Sequence, residues 1–531
     1  MAEDTDYDVI VIGAGFAGMY MLKTLRESGL RVRVFERADD VGGTWYWSRY
    51  PGARCDVESL FYSYSFSEEL QQEWRWTERY AAQPEILDYA RHVADRFDLR
   101  RDISFETEVL GADFDSAGDR WTVRTTDAAV SARFLITAVG CLSATAMPEY
   151  PGLAEFRGEA HHTGHWPHEP VEFAGKRVAV VGTGSSGIQT ITAIAAEVEH
   201  LTVFQRTPNF SVPARNRPLS EQEQQRVKAD YARLREESRQ SFSGLLVERL
   251  ERNALDTPCA EFRAALDRNW QRGGLGFPGI FQDTLADPVA NELSAEYVRE
   301  RIREIVDDPE TAELLCPKDF PIGTKRLCVD TGYYESFNRD NVDLVSVRDR
   351  PIERITPAGL RQGGRDFEFD MIVFATGYDA MTGPLNRIDI RGTDGATLRE
   401  KWADGPRTYL GLATAGFPNL FTITGPGSPS VLSNMMVSIE QHVDWIADHL
   451  RYLRERGITR SEADADAERE WCEHVGEVAD LTLFPAAASW YTGANVPGKP
   501  QVFMPYVGGV GNYRVLCDQV ADAGYRGFVL S

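Results

Sequence analysis

Two short glycine patterns carry the most chemistry in this chain: Gly13-Ala-Gly15-Phe-Ala-Gly18 and Gly182-Thr-Gly184-Ser-Ser-Gly187. Each can cradle a pyrophosphate. The first glycine allows a tight turn, and the second lets the backbone approach phosphates at a helix N-terminus. The third lets helix and strand pack closely. Two nucleotide sites on one chain imply two nucleotides that exchange electrons.

The elements that must position these glycines can be read around them. Asp8-Val-Ile-Val-Ile-Gly13 has the continuous apolar run of a buried parallel strand, and Met19–Ser28 continues with helical character. Lys176–Gly182 repeats the strand, and Ile188–Val198 repeats the helix. The ends of the second strands differ. Arg31-Val-Arg-Val-Phe35 ends in Glu36, where a carboxylate accepts hydrogen bonds from a ribose diol. Leu201-Thr-Val-Phe-Gln205 ends in Arg206 and Thr207. A guanidinium can grip a 2′-phosphate bidentately, whereas a carboxylate would repel it. Glu36 thus assigns FAD to the first site and Arg206 assigns NADPH to the second. The Gly42-Gly43-Thr44 turn after Glu36 is the pattern of FAD-binding two-domain flavoproteins. Trp45 and Trp47 beyond it read equally well as core packing. The stretch Arg49-Tyr-Pro-Gly-Ala-Arg54-Cys-Asp56 places a charge pair near where an isoalloxazine would lie.

The bulk numbers agree with an enzyme. The chain has 531 residues, 43% hydrophobic and 26% charged, which leaves room for several domains with large cores. Its net charge of −24 argues against nucleic acid or an anionic membrane as partner. No run of about 18 apolar residues suggests a membrane span. The first six residues are acidic and lack the basic region of a signal peptide. Seven scattered cysteines (55, 141, 259, 316, 328, 472, 517), with no Cys-x-x-Cys, read as free thiols in a reducing cytoplasm. They also omit the redox pair of a flavin disulfide reductase. Neither a Ser-His-Asp arrangement nor a metal-spaced cluster appears. No residue pattern points to an oligomeric state.

The fold class expected is α/β, with two Rossmann-like dinucleotide-binding domains and a helical subdomain. Phe134–Gly140 has a near twin in Met371–Asp379, and such strand-then-glycine repeats mark where the chain crosses between nucleotide domains. That predicts an FAD domain over 1–141 and 377–531, with an NADP domain over 142–376 inserted in it. Within the insert, 219–320 reads as helical (Ser220–Glu237, Glu261–Arg272, Ala295–Asp307). Phe61–Asp98 reads as aromatic-rich and mostly helical, and short strands are expected at Phe105–Val109 and Trp121–Arg124.

A string leads from one half into the other: Phe156-x-Gly158-x-x-x-His162-x-x-x-Trp166-Pro167. With it the chain resembles the type I Baeyer–Villiger monooxygenases over nearly its whole length. Other blocks that carry the resemblance are Gly43–Trp47, Tyr50–Asp56, Gly323-Thr-Lys325-Arg326 and Ser489–Lys499. Gly425–Met435 is similar to the phenylacetone and steroid monooxygenase branch.

The resemblance implies a reaction and roles for residues. NADPH reduces FAD, reduced flavin adds O2 to form a C4a-peroxyflavin, and one oxygen enters beside a ketone carbonyl to give an ester or lactone. Arg326 matches the family's catalytic cation, and Asp56 matches the carboxylate that orients it. Lys325 would join Arg206 and Thr207 at the 2′-phosphate. Thr44, Trp45, Tyr62, Val109 and Met435 would line the FAD site beside Gly13, Gly15, Gly18, Glu36 and Asp56. Thr183, Ser185, Ser186, Gln189, Arg326 and Trp490 would serve NADP beside Gly182, Gly184 and Gly187. Val431 and Leu432 would face an aryl, cyclic or bulky ketone. Trp490 and Gly493–Lys499 suit a lid that keeps water out. His162 reads better as a hinge residue than as a general base, with Trp166 and Pro167 packing there. Two other readings remain: an N-hydroxylating or sulfide-oxidising flavin monooxygenase, and a non-catalytic flavoprotein redox sensor.

Overall fold

The computed structural model describes residues 5–531; residues 1–4, the start of the acidic N-terminal stretch, lie outside the described residues. The strand Tyr7–Ile12 sits inside an eight-stranded sheet. It pairs in parallel with Val32–Phe35 on one side and Ala129–Thr137 on the other. Val9, Ile10 and Val11 are fully buried, as a parallel strand covered on both faces requires. The helix Phe16–Glu27 follows the first glycine turn and packs on the long helix Met435–Arg456. On the other flank, Arg120–Thr125 and Val109–Asp115 extend the sheet as an antiparallel meander.

A second sheet has five strands, all parallel. Their order is Val342–Ser346, His200–Gln205, Arg177–Val181, Met371–Phe374 and Glu159–His162. The chain leaves the first sheet after Ala129–Thr137, builds the second, and returns: Leu420–Thr422 pairs in parallel with Leu135–Thr137. The outgoing and returning segments touch. Ala146 N–H donates to the Gly377 carbonyl at 3.2 Å, and Thr145 bridges Tyr378.

Residues 219–320 hold the helices Glu221–Lys228, Tyr231–Gln240, Cys259–Arg272, Pro288–Ile305 and Pro309–Leu315. Asp287 and Asp308 cap the last two through side-chain oxygens, each just before a proline at the first helical position. Two expectations about local structure fail. The helix over Ser220–Glu237 breaks in two, because Asp230 (φ −117°, ψ 13°) does not propagate helical backbone. The strand expected over Phe105–Val109 starts only at Val109, and none forms over 105–108. Glu106 adopts φ 52°, and the Glu106 and Thr107 N–H groups donate to the Ala38 and Glu36 carbonyls. Backbone groups that a ladder would have used are satisfied by the loop after the second strand. Phe61–Asp98 is also less helical than expected, with helices only over Glu68–Glu73 and Gln83–Arg96. Among the described residues no helix is long and apolar enough to cross a membrane.

Candidate active site

Both glycine turns have the form a dinucleotide needs. At the first, Gly13 adopts φ +102°, and a Cβ on Gly18 would lie 1.8 Å from the Gly13 carbonyl oxygen, so both positions require glycine. Gly15 starts the helix Phe16–Glu27 without a side-chain cap, which leaves its first N–H groups for a ligand. Glu36 is buried, and its carboxylate accepts the Ala14 N–H at 2.7 Å and the Ala38 N–H at 2.9 Å. Burial pushes its pKa up, against the pull of those two N–H groups. A carboxylate offers about four acceptor positions, so two remain for a ribose diol.

Around this turn the residues expected at the FAD site fall as follows. Thr44 is exposed at the start of the short helix Thr44–Trp47, beside Gly43. Trp45 is buried in the core, and its indole N–H donates to the Tyr62 hydroxyl at 3.1 Å. Trp47 instead stacks on His165 of the linking string, with Arg37 over its ring at 4.7 Å. Val109 is buried at the start of its strand. Met435 opens the helix Met435–Arg456, with its sulfur 3.3 Å from the Val431 N–H.

The second turn repeats the geometry with one more opening. Gly182 adopts φ +109°, and a Cβ on Gly187 would lie 2.2 Å from the Gly182 oxygen. Gly184 has nothing within 4 Å of the place a Cβ would take, and it starts the helix Ser185–Ile194 without a side-chain cap. Thr183 donates to the Thr207 carbonyl at 3.1 Å, which ties the turn to the end of the second strand. Ser185 lies beside Cys328, and Ser186 bonds Thr163. Gln189 is already engaged across the gap. Its amide accepts from Tyr50 at 2.8 Å and donates to the Arg54 carbonyl at 3.0 Å. Arg206 is exposed. Burial, then the nearby Arg206 charge, pushes the Lys325 pKa down. Lys325 rests 4.4 Å over the Phe320 ring. The carboxylate nearest in effect, Asp319, is itself paired with Arg348 at 2.8 Å. Two cations held together in this way suit a phosphate.

Between the turns lies an ion pair. Arg326 donates from Nε and Nη2 to the two oxygens of Asp56 at 2.9 and 2.8 Å, and from Nη1 to the Val431 carbonyl at 2.7 Å. Burial works against its charge, but the Asp56 carboxylate outweighs it and holds Arg326 above the ordinary range. Tyr491 is buried beside it; burial pushes the phenol up to about 12, while Arg326 pulls the other way. The bidentate partner was legible from sequence, but neither the Val431 carbonyl nor Tyr491 was. Tyr491 had only its place after Trp490 to mark it. Val431 (buried) and Leu432 (partly buried) border an apolar cluster with Cys141, Met381, Phe484, Tyr491 and Met504. Trp490 packs on Tyr491 at 4.3 Å. The Gly493–Lys499 loop is pinned onto the returning segment. Lys499 Nζ reaches Asp379 at 2.6 Å and the Ala380 carbonyl at 2.7 Å, and Asn495 donates to the Tyr378 carbonyl at 2.7 Å.

The linking string runs along the edge of the second sheet. A Cβ on Gly158 would lie 2.4 Å from the Asp370 oxygen, and Phe156 packs on the sheet's lower cluster. His162 is buried; its Nδ1 accepts the Gly164 N–H at 3.0 Å and its Nε2 lies 3.2 Å from the Thr376 hydroxyl. Burial, then His165, takes its pKa down to about 4. Trp166 stacks on Phe173 at 6.2 Å, and Pro167 follows it partly exposed. All seven cysteines are free thiols. No group of three or more His, Cys, Asp or Glu among the described residues could hold a metal ion.

This architecture defines a flavoprotein oxidoreductase with one site for FAD and one for NADP. Comparison with known proteins narrows the class. Residues 6–212 match the flavin-binding monooxygenase-like family. The chain is 44% identical to an acetone monooxygenase (methyl acetate-forming) of Gordonia sp. (strain TY-5), over 99% of each. It is 43% identical to a Baeyer–Villiger monooxygenase of Pseudooceanicola batsensis, over 99% of this chain and 96% of that one. It is also similar to the solved structure of an oxidized steroid monooxygenase bound to NADP, at 52% identity and a TM-score of 0.95, over 99% of each. The chain belongs to the type I Baeyer–Villiger monooxygenases. It is an FAD- and NADPH-dependent enzyme that inserts one oxygen atom of O2 beside a ketone carbonyl, giving an ester or lactone.

Proposed function

We propose that Arg326, held by Asp56, is the cation that stabilises negative charge on the reacting oxygens, and that the substrate is a ketone with a bulky apolar body. The bidentate Asp56–Arg326 contact carries this reading. When bound, FAD takes up the hydride of NADPH and activates O2. The work of the chain's own residues is positioning and charge. Asp56 fixes the guanidinium plane through two charge-assisted hydrogen bonds. Asp56 and Val431 use three of the five N–H donors, and the Tyr491 phenol lies against the rest, so the guanidinium faces the site with the donors it has left.

Arg206, Lys325 and Thr207 select the 2′-phosphate. The glycine turns hold the pyrophosphates, and Glu36 holds the flavin nucleotide's ribose. The Gly493–Lys499 loop, latched by Lys499 to Asp379, excludes water. His162 packs between the crossing segments as a hinge, not as a base. Val431, Leu432 and the apolar cluster around them receive the body of the ketone; the names of the relatives span acetone and steroids, and the likeness to the steroid monooxygenase favours the larger end. The insertion limits proposed are 142–376 for the NADP domain, with 219–320 as its helical part. The cytoplasm fits the unpaired thiols.

The test is Arg326→Ala, with Arg326→Lys beside it. Loss of the cation abolishes ester formation on a panel of linear, cyclic and steroidal ketones. FAD binding survives, and NADPH is consumed slowly to hydrogen peroxide. Lysine fails too, because an ammonium cannot match the planar fork. Ester formation by Arg326→Ala near the wild-type rate would remove this residue from the mechanism. Oxygenation of amines or sulfides but of no ketone on the panel would refute the bulky-ketone assignment.

A further inference from the structure

Val431 is a buried valine with φ +62°. A β-branched side chain in the left-handed region crowds its own backbone, so the surroundings must over-determine it. They do so on every side. The Val431 N–H donates to the Met435 sulfur at 3.3 Å, and the Leu432 N–H donates to the Pro429 carbonyl at 3.2 Å. The side chain is packed in the apolar cluster with Cys141, Met381 and Tyr491. The carbonyl receives Arg326 Nη1 at 2.7 Å. Four residues earlier, Gly427 takes a left-handed turn (φ 85°) without strain. At 431 the chain carries a valine instead.

Two demands meet at this residue. Asp56 holds only the Nε and Nη2 edge of the guanidinium, so a second acceptor is needed to stop the group pivoting about that edge. A backbone at φ near +60° turns its carbonyl to a side that extended or helical backbone does not reach. The same residue must present an apolar wall, which glycine cannot do. We propose that Val431 is a positioning residue, whose strained backbone aims its carbonyl at Arg326 and, with Asp56, fixes the guanidinium plane. This rests on the reading of Arg326 as the catalytic cation.

The test uses the purified holoenzyme and two kinds of change at this peptide. Val431→Gly relieves the strain while keeping the left-handed turn. Loss of the buried side chain lowers its melting temperature, but in its crystal structure the contact between Arg326 Nη1 and the residue 431 carbonyl persists. Val431→Pro fixes φ near −65° and turns the carbonyl away. FAD content and KM for NADPH hold, while ester per NADPH falls about 10- to 100-fold and peroxide rises, as loss of one charge-assisted hydrogen bond implies. A crystal structure of this variant shows the contact between Nη1 and the residue 431 carbonyl broken. Leu432→leucic acid, introduced by amber suppression, makes the Val431 carbonyl an ester carbonyl and so a weaker acceptor; it also removes the Leu432 N–H that donates to the Pro429 carbonyl, and a crystal structure with residue 431 still at positive φ shows that the turn survives. Ester yield then falls several-fold with the side chains unchanged, a result that relief of strain alone would not give.

A yellow Val431→Pro enzyme with wild-type ester yield would overturn the proposal. If Val431→Pro fails to hold FAD, the leucic acid variant decides, and an unchanged yield there overturns it. Arg326→Ala is run alongside. If Arg326→Ala still makes ester, the Arg326 reading falls and this inference falls with it. If Arg326→Ala is dead while both residue 431 backbone variants are intact, this inference falls alone.

Discussion

The two nucleotide turns share a strand, three glycines and an uncapped helix start, yet they handle charge in opposite ways. Glu36 is 6% exposed and already accepts two backbone N–H groups. Arg206 stands exposed, and Lys325 beside it is pushed down by burial and by that like charge. The first recognition group is satisfied by the protein before any ligand arrives, so its ligand completes a finished piece of structure. The second, in the reading proposed above, is a pair of cations whose mutual repulsion Asp319 and the Phe320 ring offset only in part. On the proposed roles of Glu36 and of Arg206 with Lys325, a resident prosthetic group and an exchangeable co-substrate would be told apart by whether the ribose-end group has partners of its own, not by the glycines.

The largest effect expected from this contrast is at Glu36. Glu36→Ala leaves the Ala14 and Ala38 N–H groups unpaired in a buried place, at about 1–3 kcal/mol each. The variant melts lower even without cofactor and retains little FAD. Absorbance of the purified protein and a melting curve of stripped enzyme check both halves. A yellow variant with an unshifted melting temperature would break the contrast at its first term.

The second site should respond in ligand preference and not in fold. Arg206→Ala or Lys325→Ala removes a charge-assisted contact, so preference for NADPH over NADH falls about 10- to 100-fold. FAD content stays as it was and melting temperature changes little, because neither cation is in an ion pair among the described residues and Lys325 meets only the Phe320 ring. Steady-state kinetics with both coenzymes measure the preference. A large loss of stability in either variant would show that the pair is structural, and equal use of NADH and NADPH by the unmodified enzyme would show that it selects nothing.

How much of this was legible depended on whether the signal was local. Glu36 and Arg206 could be singled out because each sits at a fixed offset from its glycines along one strand–turn–helix unit. The strand twins at 134–140 and 371–379 suggested the proposed crossings for the same reason. The Asp56–Arg326 pair, 270 residues apart in sequence, came from resemblance and not from spacing, since no local pattern joins them. The contact of the Val431 carbonyl with Arg326 was invisible: a valine with positive φ contradicts its own propensity, and only tertiary packing imposes it. The strand expected over Phe105–Val109 failed at 105–108 for a related reason. Its β-favouring residues lost to a turn that satisfies the carbonyls of Glu36 and Ala38.

The smallest effect expected lies between the two sites, at His162. The imidazole is buried against both crossing segments, and burial holds its pKa down at about 4, against about 6.5 when unfolded. Its Nδ1 accepts the Gly164 N–H, so protonation there would break a bond already made. A depressed histidine pKa contributes stability that is fully present above pH 6.5 and is lost as pH falls toward 4. The loss amounts to roughly 1.4 kcal/mol per pH unit within that window. His442 and His449, buried and both down to about 3, add their own loss over the same range and below it. His162→Gln keeps an acceptor and a donor but cannot titrate. Its melting temperature should therefore fall less steeply between pH 6.5 and 4 than that of the unmodified enzyme, by about one bound proton's worth of slope. At pH 8 the two should differ only by a constant offset. Parallel curves across the acid range would mean that His162 gains its proton without cost, and the crossing would then not be the buried, neutral junction that keeps the two sites in one frame.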